Sequence, residues 1–144
     1  FVFVFFGLVA VLGTTYVIAE RISLTSIVLA VGTGLLACAI LVANNLRDVA
    51  TDGATGKRTL AVILGDGLTR RVYAAMLAAA FLAVLVVGLR HPWCLIALAA
   101  ALPAIAPVRQ VLRGARGPAL IPVLGATGMT EFCYALLLLI GLLL

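Results

Sequence analysis

Residues 22–58 read ISLTSIVLAVGTGLLACAILVANNLRDVATDGATGKR, an uncharged run that is followed at once by a charged segment. The run from Ile22 to Asn45 is as long and as apolar as a helix that crosses a bilayer, which needs about 20 residues. The chain has 144 residues, of which 65% are hydrophobic. Soluble domains carry about 25% charged residues, whereas this chain carries 10%. The composition therefore predicts an all-α, multi-pass membrane protein whose solvent is the lipid bilayer.

Five apolar segments are predicted to span the membrane, and together they form a single transmembrane helical domain over residues 1–144. No segment alternates polar and apolar residues, so the strands of a membrane barrel are disfavoured. Pro103 and Pro107 predict a kink or an early end in the fourth helix, and Pro122, Gly125 and Gly128 predict an irregular start to the fifth. The predicted spans are Phe1–Ala19, Ile22–Asn45, Val72–Leu89, His91–Val108 and Ala119–Leu144.

Basic residues are distributed unequally between alternate loops. Arg21 and Arg90 lie alone in the loops after the first and third spans, and the other basic residues lie after the second and fourth. The positive-inside rule places the richer loops in the cytoplasm, so the charged segment faces the cytoplasm from the inner (plasma) membrane. The basic residues form no stripe, and no nucleic-acid partner is expected. The cytoplasmic set is Arg47, Lys57, Arg58, Arg70, Arg71, Arg109, Arg113 and Arg116.

The spacing of Asn44, Asp48 and Asp52 predicts one polar stripe if the second helix continues beyond the apolar run. Residues four apart lie one turn apart on a helix, and stacked carboxylates repel each other. A divalent cation would offset this repulsion, and oxygen ligands suit Mg²⁺, which also binds phosphate oxygens. The stripe therefore predicts a metal site at the membrane boundary.

Two glycines and two cations follow the stripe. Gly53 and Gly56 are predicted to end the helix, which brings Lys57 and Arg58 close to whatever the metal holds. Lysine and arginine side chains bind phosphate oxygens through charge-assisted hydrogen bonds. The order of acids, glycine turn and cations thus favours a magnesium–diphosphate site, and the alternative is an ordinary cytoplasmic loop of solvated charges.

Residues 44–65, NNLRDVATDGATGKRTLAVILG, resemble the second aspartate-rich motif of the UbiA-type intramembrane prenyltransferases. They are most similar to the branch that prenylates 1,4-dihydroxy-2-naphthoate. That branch reads N-N-x-R-D, three residues, D, three residues, and then G-K-R-T-L-A-V. The flanking stretches FFGLVAVLGTTYV and YALLLLIGLLL are also similar to this branch.

The resemblance implies a helical bundle of about nine spans around a central cavity, and a Mg²⁺-dependent reaction. A polyprenyl diphosphate loses its diphosphate, and the allylic cation is attacked by a ring carbon of an aromatic acceptor. In this branch the ring loses its carboxyl group as CO₂, a step of menaquinone synthesis. By position, the resemblance gives Asp48 and Asp52 to the metal, with Asn44 or Asn45 nearby, Asn44 as a further metal ligand and both asparagines as substrate-binding residues. It gives Lys57, Arg58 and Arg47 to the diphosphate, and it makes Asp48, Asp52 and Lys57 the catalytic residues.

The first aspartate motif of the family, of the type N-D-x-x-D-x-x-x-D, has no match in this chain. The number and orientation of the spans fit the last five of the nine. We therefore expect the chain to be the C-terminal half of such an enzyme, and its partner to be an N-terminal half that carries the second set of acids. Alone, the chain is expected to hold at most half of the metal site.

Two residues of the last span are further candidates for binding the aromatic substrate. Glu131 either faces the cavity or lies at the headgroup boundary, and Tyr134 either contributes its hydroxyl or packs. Arg109, Arg113 and Arg116 are most simply topology determinants. Two other functions remain open, which are a prenyltransferase with another aromatic acceptor and a membrane transporter or assembly subunit. A transporter more often has its charges in broken helices at mid-membrane, whereas here they cluster at one boundary.

Overall fold

The computed structural model describes all 144 residues, and all of its regular structure is helical. Ser23 caps the longest helix, because its side chain accepts a hydrogen bond from the Ser26 amide and the Ser26 hydroxyl accepts one from the Ser23 amide. Thr59 caps the shortest helix through one hydrogen bond, which its side chain accepts from the Val62 amide. The helices are α1 (Phe3–Ala19), α2 (Leu24–Ala54), α3 (Leu60–Leu64), α4 (Asp66–Gly88), α5 (Pro92–Leu112) and α6 (Gly117–Leu143).

Four of these helices, α2, α4, α5 and α6, are long and apolar enough to cross a membrane. The predicted multi-pass helical bundle is thus confirmed. The first predicted span is shorter than expected, since α1 is an apolar helix of fewer than 18 residues and opens with a π-helical stretch, Phe3–Val9. The second is longer than expected, because α2 has 31 residues and runs on through the charged segment to Ala54.

The fourth span was predicted to kink or to end early, and the early end is wrong. Helix α5 continues through Pro103 and Pro107 to Leu112, and its irregular part is a 3₁₀ segment, Pro92–Ala100, that precedes both prolines. Pro103 is the third residue of the α-helical part, Ala101–Leu112, and Pro107 lies inside it. The irregular entry predicted for the fifth span lies earlier than expected. Pro122, Gly125 and Gly128 belong to the regular α-helical part, Ile121–Leu143, which is preceded by a 3₁₀ turn, Gly117–Leu120.

Helix α2 is the centre of the bundle and packs against α1, α4 and α6. The α1–α2 contact depends on glycine, since a Cβ at Gly7 would lie 2.6 Å from the Cα of Gly34. Buried hydroxyl groups join α4 to α6, and the Tyr73 hydroxyl lies 2.7 Å from that of Thr127. The core beside these contacts is formed by Leu36, Leu77, Val84, Leu120, Val123 and Leu138.

The fold brings the basic loops to one end of the bundle. A hydrogen bond from Arg70 to the Val111 carbonyl joins the start of α4 to the end of α5, and Arg116 lies 3.6 Å from Asp66. At the opposite end, the Thr25 hydroxyl at the start of α2 lies 3.4 Å from His91, which follows α4. The alternation of charge that the sequence shows therefore corresponds to two ends of one helical bundle.

Candidate functional site

The polar stripe lies on the last three turns of α2, as its spacing predicts. Because α2 continues to Ala54, Asn44, Asp48 and Asp52 are all helical. The turn that follows differs from the prediction that Gly53 and Gly56 both end the helix. Gly53 remains within the helix, and the chain reverses at Gly56, whose φ of +73° is accessible to glycine at low cost. The amide of Lys57 closes this turn by donating to the Asp52 carbonyl over 2.9 Å.

Asp52 is the most enclosed acid of the chain, with 7% of its surface exposed. Its Oδ1 atom accepts a hydrogen bond from the Lys57 ammonium group over 3.1 Å. Its Oδ2 atom is buried and has no hydrogen-bond partner within the chain. A buried polar atom without a partner costs about 1–3 kcal/mol, and more if it is charged. The geometry thus leaves one carboxylate oxygen available for a cation or donor from outside the chain.

Asp48 lies one turn earlier and has a different environment. Its two oxygens accept hydrogen bonds from Nε and Nη2 of Arg47, each over 2.7 Å. The two side chains are about 30% exposed, so water reaches this pair. A planar guanidinium that binds both oxygens of a carboxylate is a strong, directional contact. Each acid of the stripe therefore has its own cation, which offsets the repulsion between Asp48 and Asp52 that the sequence predicts.

The two asparagines lie on different parts of the α2 surface. At about 100° per residue, Asn45 points within about 20° of Asp52, whereas Asn44 is about 40° from Asp48 and about 80° from Asp52. Both asparagines are half-buried. Asn45 lines a small gap against α3 and the start of α4, beside Leu60, Ala61 and Thr69. The stripe thus drifts around the helix, and Asn45 lies more nearly in line with the buried acid than Asn44 does.

Of the other predicted site residues, Arg58 lies near the polar stripe, whereas Glu131 and Tyr134 have no contact with it. Arg58 is exposed at the same turn as Lys57 and takes part in no ion pair. Glu131 is half-buried on α6, and no hydrogen bond or ion pair joins it to the stripe. Tyr134 is fully buried, donates its hydroxyl to the Ala80 carbonyl over 3.1 Å and meets Phe81 edge to face. This environment favours packing among the two alternatives for Tyr134.

A second charged cluster, which the sequence analysis did not assign to the site, lies beside the stripe. Asp66, at the start of α4, accepts hydrogen bonds from Nε and Nη2 of Arg70 over 2.7 and 2.8 Å. Arg70 is only 5% exposed, although the sequence indicated only a loop cation. The i, i+4 spacing of Asp66 and Arg70 is the sequence feature that could have predicted this ion pair. A cleft of about 570 Å³ separates this cluster from Arg47 and is also lined by Arg116.

We expect Asp66→Asn to destabilise the fold, because it removes the anion that pairs with the buried Arg70 guanidinium. The expected loss is about 2–3 kcal/mol, less than for a fully buried pair because the Asp66 side chain is 35% exposed. Thermal unfolding in detergent measures it as a lower Tm. Arg71→Gln, a change at an exposed neighbour, is the matched control and is expected to leave Tm nearly unchanged. Equal Tm values for Asp66→Asn and the unmodified protein would contradict the role of this pair.

The acids of the chain do not form a complete metal centre by themselves. No group of three or more His, Cys, Asp or Glu side chains is placed so that it could hold a metal ion. The donor set at the stripe is two carboxylates and nearby amide oxygens, which is the chemistry that Mg²⁺ prefers when phosphate oxygens and water complete its shell. With the free Oδ2 of Asp52, the residues present fit a magnesium ion that is shared with another group of ligands.

Comparisons with known proteins agree with these features. Residues 1–119 match the UbiA prenyltransferase family. A protein of Mycobacterium tuberculosis named 1,4-dihydroxy-2-naphthoate octaprenyltransferase is 49% identical over 135 residues, which is 94% of this chain and 46% of that protein. The Escherichia coli protein of the same name is 34% identical over 144 residues, 98% of this chain and 47% of its own length. No solved structure matches the chain.

The chain thus spans a little under half the length of the relatives that it matches. A Bacillus subtilis protein of the same name shows the same proportion at lower identity, 27% over 140 residues, which cover 95% of this chain and 45% of the relative. The similarity therefore extends along almost the whole chain, whereas about half of each relative has no counterpart in it.

Proposed function

The chain belongs to the UbiA prenyltransferase family, and from this premise we propose that it supplies one half of a magnesium-dependent enzyme. The enzyme transfers a polyprenyl group from its diphosphate to 1,4-dihydroxy-2-naphthoate. The relatives are named for this acceptor, and the proposal extends it to the present chain. The observation that carries the proposal is the unpaired Oδ2 of Asp52, a buried carboxylate oxygen at the end of a membrane helix.

The chain contributes metal ligands and phosphate ligands from adjacent turns. We assign Asp48 and Asp52 to the magnesium ion, with Asn45 or Asn44 as the amide next to it. Bound there, the ion would neutralise charge on the departing diphosphate. Lys57, Arg58 and Arg47 are assigned to the diphosphate oxygens. For Arg47 and Lys57 this requires that they exchange their carboxylate partners for phosphate when substrate and metal enter, which keeps every charge paired.

The apolar helices contribute the exclusion of water. Breaking the bond between the allylic carbon and the diphosphate oxygen separates charge and leaves an allylic cation. This cation reacts with water unless water is excluded and the ring carbon of the acceptor is held next to it. The new carbon–carbon bond forms at the ring position that carries the carboxyl group, and this group leaves as CO₂. Helices long enough to cross the membrane provide a dry surface for the isoprenoid chain next to the polar stripe. Glu131 on α6 remains a candidate for orienting the aromatic ring.

Other parts of the enzyme lie outside this chain. We propose that it is the C-terminal half, that residues 1–144 form one helical unit, and that an N-terminal half completes the metal site with further acids. We also propose that the stripe faces the cytoplasm from the plasma membrane, because all the loops at its end of the bundle carry the basic excess. A transporter or assembly subunit is less well supported, since the charges cluster at one end rather than at mid-membrane.

The proposed function is tested by the choice of acceptor. Membranes that contain the complete protein are incubated with octaprenyl diphosphate, Mg²⁺ and either 1,4-dihydroxy-2-naphthoate or 4-hydroxybenzoate. We expect prenylated naphthoquinol and an equal amount of CO₂ with the first acceptor, and no product with the second or with EDTA. Product from 4-hydroxybenzoate alone would support a prenyltransferase with a different acceptor. No product from either, in a folded protein, would contradict the enzyme assignment.

Lys57→Ala is expected to raise the KM for the prenyl diphosphate about tenfold and to leave the KM for the aromatic acceptor nearly unchanged. A charge-assisted hydrogen bond to phosphate contributes about 1.5–3 kcal/mol, and the exposed position of Lys57 favours the lower value. Because Lys57 also pairs with Asp52, the ratio of the two KM values is the informative measurement. Arg71→Ala is the control for general electrostatics, and equal changes in both KM values would argue against contact with phosphate.

A further inference from the structure

A groove between α4 and α5 is lined by none of the residues of the polar stripe. It has a volume of about 330 Å³, and eight of the nine residues that line it are hydrophobic. The side chains that form its floor are small, because alanines of the two helices line it. By the rise per residue, the groove extends roughly 10–12 Å along the helices. The alanines and the aromatic residue at its far end are Ala74, Ala78, Ala101, Ala104 and Phe81.

The one charged residue of the groove lies at its polar end. Arg109 lines the groove in the last turn of α5, is exposed and takes part in no ion pair or side-chain hydrogen bond. The other two arginines of this region differ from it, since Arg116 lies 3.6 Å from Asp66 and Arg113 does not line the groove. The groove is apolar along its length and has one cation without an ion-pair partner at its end. It is therefore suited to bind an amphiphile that has one apolar chain and one negative charge at its headgroup.

We propose that this groove binds one anionic phospholipid, with an acyl chain along the alanine floor and the phosphate at Arg109. Charge decides between the available amphiphiles. An anionic phospholipid such as phosphatidylglycerol has a headgroup with one net negative charge, which one guanidinium balances, whereas phosphatidylcholine already balances its phosphate with its own ammonium group. A prenyl diphosphate carries more charge and needs a metal ion or several cations, and no carboxylate or second cation lines this groove.

The proposal is tested by measuring bound lipid on the complete protein, without any assay of prenyl transfer. The delipidated protein is incubated with phosphatidylglycerol or with phosphatidylcholine of the same chain length, and native mass spectrometry measures the bound lipid. We expect one tightly held phosphatidylglycerol. Ala78→Leu fills the groove and is expected to lower its retention about tenfold, because the acyl chain loses its apolar contact. Ala79→Leu, at an exposed neighbour outside the groove, is the matched control and is expected to change nothing.

The headgroup is tested separately. Arg109→Gln is expected to reduce phosphatidylglycerol binding about fivefold, to the level of phosphatidylcholine, whereas Arg113→Gln leaves the preference intact. This surface change remains informative if Ala78→Leu does not fold. Equal losses for Arg109→Gln and Arg113→Gln would overturn the proposal in favour of diffuse attraction to anionic lipid. Unchanged lipid retention with a lower Tm in Ala78→Leu would also overturn it, because another protein segment would then cover the groove.

Discussion

Asp52→Asn is expected to reduce prenyl transfer by the complete protein by at least about 10²-fold, and to do so without unfolding it. Metal and cations stabilise the charge of the departing diphosphate by several kcal/mol, and each 1.36 kcal/mol corresponds to a factor of ten in rate. Asp52 offers the only buried carboxylate oxygen that has no partner within the chain. Asparagine keeps the size of the side chain and removes the charge that a magnesium ion requires.

The stability of the Asp52→Asn variant separates a metal role from a structural role. Without metal, Tm is expected to stay the same or to rise, because the substitution removes a buried charge with an unpaired oxygen and leaves Lys57 largely in water. In the unmodified protein, Mg²⁺ with inorganic diphosphate is expected to raise Tm by binding the folded state, and the variant is expected to lose this shift. Glu20 is an exposed acid at the opposite end of the bundle, and Glu20→Gln is the control variant, which is expected to retain the rise in Tm with Mg²⁺ and diphosphate.

Two results would contradict the assignment of Asp52. Full activity of Asp52→Asn would exclude a necessary metal contact. A large drop in Tm without metal would show that the carboxylate holds the turn at Gly56 rather than an ion, since the Lys57 side chain reaches back to it across this turn. In that case the loss of activity would follow from the loss of structure, and the metal site would have to lie elsewhere.

Asp48→Asn is expected to reduce prenyl transfer by about 10²-fold at the Mg²⁺ concentration that saturates the unmodified protein. Its activity is expected to depend on Mg²⁺ concentration differently from that of Asp52→Asn. Asp48 is partly exposed and shares its charge with Arg47 through two hydrogen bonds. The substitution leaves Arg47 without its anion, which adds repulsion between the site and any cation. We therefore expect a higher Mg²⁺ concentration to recover part of the activity of Asp48→Asn, whereas it recovers little in Asp52→Asn, whose missing oxygen is the enclosed one.

Magnesium titration of prenyl transfer in both variants measures this difference. The double substitution Asp48→Asn with Arg47→Gln is a useful companion, since it removes the acid and the uncompensated cation together. If repulsion from Arg47 contributes, the double variant reaches half of its own maximal rate at a lower Mg²⁺ concentration than Asp48→Asn alone, although that maximal rate falls because Arg47 is also assigned to the diphosphate. Identical magnesium curves for Asp48→Asn and the unmodified protein would show that Asp48 is occupied by Arg47 throughout and does not bind the metal.

The sequence alone determined the features that depend on neighbours along the chain. Uncharged runs of about 20 residues specify membrane helices, because backbone groups in lipid must bond within the same segment. The spacing of Asn44, Asp48 and Asp52 specifies a stripe wherever the helix continues, and the contiguous motif from Asn44 to Gly65 specifies the family. The unequal charge of alternate loops, in the same way, specifies which helix ends lie together.

Only the tertiary structure decided which of these groups are buried and what they bind. Asp48 and Asp52 are equivalent by spacing, yet one is partly exposed and the other is enclosed with a free oxygen. By sequence, Arg70 is one of several loop cations, whereas in the structure it is buried and donates a hydrogen bond to the Val111 carbonyl of α5. Burial of this kind depends on helices that are far apart in sequence, and no local periodicity encodes which of them will cover a given side chain, so the chemistry of the site emerges only once the bundle is packed.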